Sequence, residues 1–491
     1  MIFTQEVYNA LIDRLNRRYL IYRDSFHIKD NRIFFLCRKN IEKLFGEVSL
    51  KNDFIFSGPK EEIIEMELND GRIYTGLFAA SIDNSKKLLS FFPELKPKRI
   101  DKKLSAGFGD RVGIAAAAHV KISQKYDFFP LFAQQSAREI TKTSRDCETV
   151  LHNAVLGIFQ EGYGNSWGSD ADHIRDKNWL NTMINNTYLP YTMFTIDTYD
   201  YVNTDNESSP DSFAEDKKLK ERLEKSKKYI GKSFYFSGNI FSFTDENIYS
   251  MVIRYYKSLD FLSECYNLIK SKISDFDFEP TFDERDIDTT PLEHFYIASE
   301  LINDGVIFST IAPKFPGLFE KGIDYIGNLD DFIISLRVHG EIAKYFGNYR
   351  LSVHSADDKF MIFKYLPEIL GENFHIKTSG TTWMESLRTI AEFNPDLFKK
   401  IINIVLAEAE ANSKDYYIAL DYKKINTDLK SKKLTELIDI KETRQLLHVS
   451  YGTVLNEYRR EIVTTLYEHE EVYMKNIIKN YQDHFEAIFG K

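Results

Sequence analysis

Between Ala106 and about Pro395 the sequence alternates short apolar, β-branched and aromatic runs with longer stretches of helical periodicity. This alternation restricts the fold more than any other feature. Eight runs read as strands: DRVGIAA, FFPLFAQQ, GSDADHI, YTMFTIDT, DFDFEPT, VIFSTIAP, YRLSVHS and FHIKTSG. Helical spacing fills most gaps, as at Arg145–Gln160, Asn247–Lys272, Pro291–Asn303 and Leu329–Tyr345. Alternating βα units make parallel sheets, and eight of them suggest closure. The expected fold class is α/β, a (β/α)8 TIM-like barrel. An open doubly wound sheet is the alternative, and it scatters the polar strand-end residues less naturally.

The flanks differ from this core. Residues 1–100 read as a mixed α+β cap, with one helix followed by strands separated by turns such as Lys29-Asp30-Asn31. The barrel is expected over 101–395, with a charged insertion at 199–247, and a C-terminal helical extension over 396–491. A net charge of −10 and the absence of a basic run exclude nucleic acid and anionic membranes as general partners. No apolar run reaches about 18 residues, so no membrane span is expected. The opening residues carry charges where a secretory signal needs an apolar stretch, and the three cysteines are widely spaced. These point to a cytoplasmic protein with reduced thiols.

Candidate chemistry collects at strand ends, where a barrel opens. His173, His354 and His375 lie on or just past the third, seventh and eighth strands. Three imidazoles meeting there would hold one divalent metal cation, whose identity the residues leave open. Carboxylates accompany them: Asp170, Asp172, Asp197, Glu279, Asp283, Glu284 and Glu320. An acid/base pair needs two such groups on opposite sides of a substrate. Asp170 and Asp283 also read as ordinary caps or loop ion pairs. Arg111, Lys314 and Lys377, with the amides Gln134 and Gln135, suit a small polyhydroxylated acid as the bound molecule. The run Gly107–Gly113 has GxGxxxG spacing and no clear preceding strand, so it is not read as a dinucleotide fingerprint.

Several long blocks resemble the tagaturonate epimerase family, also called tagaturonate/fructuronate epimerases. They are GFGDRVG, FPLFAQQSAREIT, VLGIFQEGY, GSDADHI, TPLEHFYIASEL, IAPKFPGLFEKGIDYIG, LSVHSADDKF and HIKTSGT. The resemblance implies a metal-dependent isomerase acting on D-tagaturonate and D-fructuronate. It also implies His173, His354 and His375 as metal ligands, Asp172 as proton acceptor and Glu279 as proton donor. Self-association is left open. Lys314 stands where the family pattern leads one to expect arginine, so a two-pronged grip on a carboxylate would be lost.

The reaction constrains the mechanism. Counted from the hydroxymethyl end, C4 is inverted while the ketone is at C2, so the C4 hydrogen is not acidified by the ketone. Retro-aldol cleavage of C3–C4, rotation and re-addition meets this constraint without a nicotinamide. The rival readings are a Schiff-base aldolase using Lys314 or Lys377, and a non-catalytic barrel that binds a sugar acid.

Overall fold

The computed structural model describes residues 5–68, 71–203, 216–284, 287–347, 349–414, 416, 425 and 433–490. Part of the expected charged insertion, residues 204–215, lies outside them.

The cap is a five-stranded antiparallel sheet. Its strands are β1 (Leu20–Lys29), β2 (Arg32–Lys39), β3 (Glu42–Ser49), β4 (Lys60–Leu68) and β5 (Gly71–Ala79), in the order β1-β2-β3-β5-β4. Asp30 and Asn31 both take positive φ, which matches the right-handed twist of a tight hairpin. Strand alternation gives the sheet two buried faces. Phe35, Cys37 and Leu44 meet Val7, Leu11 and Leu15 of the helix Gln5–Leu15. Phe34, Leu36 and Phe45 face the other way and join the barrel core. The run FIFSG, which has a strand-like composition, forms no strand.

Eight parallel strands form the barrel: β6 (Ser105–Phe108), β7 (Phe129–Ser136), β8 (Gly168–Ile174), β9 (Met193–Asp197), β12 (Asp277–Thr281), β13 (Thr310–Ile311), β14 (Arg350–Val353) and β15 (Phe374–Thr378). The hairpin β10 (Ser233–Phe236) and β11 (Asn239–Ser242) stands apart from that sheet. Each barrel strand pairs with its chain neighbour, and β15 pairs back onto β6. Closure between β12 and the end of β13 uses Phe282 N–H to Ala312 O (2.8 Å) and Ala312 N–H to Pro280 O (3.1 Å). The expected (β/α)8 barrel is therefore present.

One strand differs from expectation. DRVGIAA is not the first strand; SAGF, just upstream, is. The Asp110 carboxylate accepts from the amides of Val112, Gly113 and Ala115, and Gly113 has φ +97°. That local bonding curls the segment into a loop, although its apolar residues suit a strand. The C-terminal helices pack on the barrel: Glu470–Phe489 lies against Ala116–Ser123 and Thr381–Phe393. Tyr481 of that helix shares a 2.9 Å hydroxyl contact with Thr378 at the end of β15. All three cysteines are buried and unpaired.

Candidate active site at the C-terminal mouth of the barrel

The site begins with an irregularity in β8. Its pairing with β9 slips between Ala171 and Ile174, and His173 takes φ +48°. A bulge with a left-handed residue breaks the strict in–out alternation of a strand. Asp172 and His173 therefore reach the same place, with His173 Nδ1 2.8 Å from Asp172 Oδ1.

Lys377, from β15, occupies the barrel axis. Its Nζ lies 2.7 Å from Asp170, 2.8 Å from Asp172 and 2.7 Å from Glu279, and it also donates to the Thr195 hydroxyl. Burial works against the ammonium, but the three carboxylates outweigh it and hold the pKa well above the ordinary lysine value. Lys377 is thus a charged amine and not a free nucleophile. Burial also pushes Asp170 up to about 6, against the pull of Lys377. Asp172 and Glu279 remain well below their ordinary values: burial is overcome by His173 and Lys377 at Asp172, and by Lys377 and His354 at Glu279.

His354 follows β14 and is buried. Its Nε2 sits 2.8 Å from Glu279 Oε1, and its Nδ1 faces His173 Nε2 at 3.2 Å. Asp283, just past β12, places Oδ1 3.1 Å from His354 Nδ1 and 3.8 Å from His173 Nε2. The ionised Asp172 and Glu279 can only accept, so each imidazole must turn its N–H toward its carboxylate. The two remaining nitrogens then point lone pairs at each other beside a third anionic oxygen. A proton or a bound cation among them would relieve that repulsion. With no cation bound, a proton can fill that role: burial disfavours the charged His173 ring, but Asp172 more than compensates and raises its pKa well above the ordinary histidine value.

These donors fit a divalent cation. One nitrogen or oxygen from each of His173, Asp283 and His354 lies within 4.8 Å of the others. Ligands bonded at about 2.1 Å around one ion stand roughly 3–3.5 Å apart, close to the spacings seen. Carboxylates behind both histidines also fix the ring orientation that metal-binding imidazoles need.

His375 is not part of this group. Its Nδ1 bonds to the Ser105 hydroxyl at 2.9 Å, and burial pushes its pKa down to about 3. It pairs in register with Ser105 and Ser352 and lies two residues before Lys377. At about 3.3 Å per residue it faces the interior one layer too deep. Among the described residues Asp283, not His375, completes the group with His173 and His354 that could hold a metal ion, while His375 Nε2 is buried without a hydrogen-bond partner.

The remaining expected residues divide. Arg111 borders the site cavity, but Glu139 (2.8 Å), the His448 carbonyl (2.8 Å) and Ser379 (3.3 Å) already engage its guanidinium. Gln134 lines the cavity, and its Oε1 meets no partner among the described residues. Gln135 turns away toward Glu139 and Arg145. Lys314 lies outside the cavity, its amine 6.0 Å from the centre of the Phe319 ring. Glu320 accepts from Gln445 at 2.7 Å. Two rim cations were not anticipated. Arg138 stacks over Tyr416 and pairs with Glu284 at 3.2 Å; Lys321 bonds to Ser355 at 2.7 Å. Both come from blocks quoted above, AREIT and FEKGI, whose strand-following position was the available signal.

Comparison with known proteins identifies the family. The family model described as tagaturonate epimerase matches residues 22–488. The chain belongs to the tagaturonate epimerase family. The Thermotoga maritima tagaturonate/fructuronate epimerase is 33% identical over 488 residues, covering 97% of this epimerase and 98% of the relative. The crystal structure of a glycerol complex of fructuronate-tagaturonate epimerase from Cohnella laeviribosi superposes with a TM-score of 0.85 at 29% identity. That match covers 98% of this epimerase and 99% of the other chain; the native form of the Cohnella protein gives the same values. No described helix of this epimerase is long and apolar enough to cross a membrane.

Proposed function

We propose that this epimerase interconverts D-tagaturonate and D-fructuronate by breaking and remaking the C3–C4 bond at the mouth just described. The observation that carries this reading is Asp172, an ionised carboxylate in contact with both Lys377 Nζ and His173 Nδ1 at the edge of the cavity.

A divalent cation held by His173, Asp283 and His354 would polarise the ketone oxygen and stabilise negative charge on it. Asp172 accepts the proton of the C4 hydroxyl. The electron pair of the C3–C4 bond moves into the C2–C3 fragment, and C4 becomes an aldehyde carbon. After the aldehyde has presented its other face, C3 attacks it and a proton returns to the C4 oxygen. We assign that proton to the Glu279–His354 pair, whose 2.8 Å contact gives the carboxylate a neighbour able to load it. Lys377 keeps Asp172 ionised between turnovers and screens it from Glu279 and Asp170. Gln134 and Arg111 shape the cavity wall. Arg138 and Lys321 at its rim suit the carboxylate that separates a hexuronate from a neutral ketohexose.

Substrate labelled with deuterium at C4 tests the mechanism. In the retro-aldol route the label stays on the aldehyde carbon and appears in the product. Loss of the label to solvent during turnover would rule that route out. The Schiff-base alternative is disfavoured by the triple anchoring of Lys377 and by the position of Lys314. Borohydride with substrate present should therefore leave the enzyme active.

A further inference from the structure

A second cavity lies behind the site, where three parts of the chain meet. It measures about 470 Å³. The cap contributes Ile41, Lys43 and Ala80; the loop after β6 contributes Val112 to Ile114; the helix Tyr451–Glu468 contributes Arg459 and Val463. Arg145 and Asn153 complete the wall.

Three cations line this crevice, and none has a carboxylate within 4.0 Å among the described residues. Lys43 donates to Gln160 Oε1 at 2.7 Å. Arg145 donates to the Asp110 carbonyl (2.7 Å), Gln135 Oε1 (2.6 Å) and the Thr143 hydroxyl (3.2 Å). Arg459 donates to the Thr143 carbonyl, so the two guanidinium groups flank one residue. Every one of these acceptors is neutral. Other buried cations are paired with acids, as Arg111 is with Glu139 and Arg222 with Glu300, although Lys359 donates only to carbonyls. Desolvation lowers the pKa of all three crevice cations, Lys43 to about 8, against the opposing pull of Glu470 and Glu161 at Lys43 and of Asp110 at Lys43 and Arg145. Asp146, the one acid on the wall, is occupied in capping Thr149 N–H at 2.7 Å. The Asn153 amide has no hydrogen-bond partner among the described residues and would lie 2.5 Å from a Cβ at Gly113, with Arg145 Nη1 at 3.3 Å. Gly113 therefore leaves room that a side chain would fill.

The crevice is linked to the active cavity. Arg145 holds Gln135; Gln135 Nε2 reaches Glu139 at 3.4 Å; Glu139 holds Arg111 on the cavity wall. We propose that this crevice binds the phosphate group of a small phosphate monoester, received by Arg145, Arg459 and Lys43, and that occupancy acts on substrate affinity through the Arg145–Gln135–Glu139–Arg111 chain. Two guanidinium groups flanking Thr143, with an ammonium on the same cavity lining, suit a phosphate dianion. The volume exceeds that of phosphate alone and suits a sugar-sized ester.

The experiment is isothermal calorimetry on the full-length enzyme with glucose 6-phosphate and with inorganic phosphate, alongside KM for fructuronate with and without the ester. The expected result is one saturable site per chain, with the ester bound about tenfold more tightly than inorganic phosphate. Arg459→Gln and Lys43→Met should each weaken the ester about tenfold. Arg460→Gln, on the same helix but bordering the neighbouring cavity, should leave binding unchanged. Basal turnover should be unaltered in all three, and the wild-type KM should shift on ester addition by about twofold or more. Equal affinity for phosphate and ester, equal weakening by Arg460→Gln, or no binding at about 10 mM would overturn the site. Sedimentation showing a dimer whose formation blocks ester binding would overturn it too. Binding without a KM shift would overturn the coupling.

Discussion

Replacing Lys377 by methionine isolates the electrostatic centre of the site. The substitution keeps most of the side-chain volume and removes one charge. It leaves Asp170, Asp172 and Glu279 buried together without the ammonium that lies 2.7–2.8 Å from each. Breaking a buried ion pair by removing one partner costs about 3–5 kcal/mol. Unfolding entropy of about 2.1 cal/mol/K per residue amounts to roughly 1 kcal/mol per degree for 491 residues, so Tm should fall by about 3–5 °C at pH 8. The pH dependence sharpens the test. Without Lys377 the folded-state pKa of each carboxylate moves upward, and Asp170, which burial already holds at about 6, rises further above its unfolded value. The folded variant then binds more protons than the unfolded chain, and its relative stability increases as pH falls. The Tm gap to the wild type should narrow between pH 8 and pH 5 and shrink further in Asp170→Asn/Lys377→Met, which removes one of the crowded charges. Turnover should drop by about a hundredfold to a thousandfold, the scale of losing a positioned donor in a water-poor site. Differential scanning calorimetry across that pH range, with progress curves on fructuronate, reads both. A variant whose Tm deficit is the same at pH 5 and pH 8 would refute the carboxylate-crowding argument.

Asp283→Asn and His173→Gln should each lower bound divalent metal, read by elemental analysis after dialysis, by about tenfold or more in affinity. His375→Gln should leave the metal stoichiometry intact, and the reverse pattern would restore His375 as the ligand. Asp357 accepts from the amides of Ser379, Gly380 and Thr381 and from the Thr381 hydroxyl, all at 2.8–3.2 Å. Asp357→Ala should therefore destabilise the loop after β15 by about 2–4 kcal/mol in urea unfolding. His119 and His339 are buried neutral with pKa values pushed down to about 4 from 6.5, mainly by burial. A depressed folded pKa means the unfolded chain binds the extra proton, so stability is lost as pH falls from 6.5 toward 4. His119→Asn should flatten that acid limb in equilibrium unfolding by about 3 kcal/mol.

Much of this protein was legible before any coordinates. The βα alternation led to the barrel because apolar periodicity is a local property, and seven of the eight runs fall on barrel strands. Strand-end positions pointed to Asp172, His173 and His354 for the same reason. The first strand was misplaced because DRVGIAA has strand composition, while the Asp110 carboxylate that curls it acts through hydrogen bonds no hydropathy pattern records. The approach of Asp283 to His173 and His354, and the seating of Lys377 on three carboxylates, are visible only in the tertiary structure. Depth inside a barrel depends on register between strands far apart in the chain, and strand alternation says which face a residue takes but not which layer.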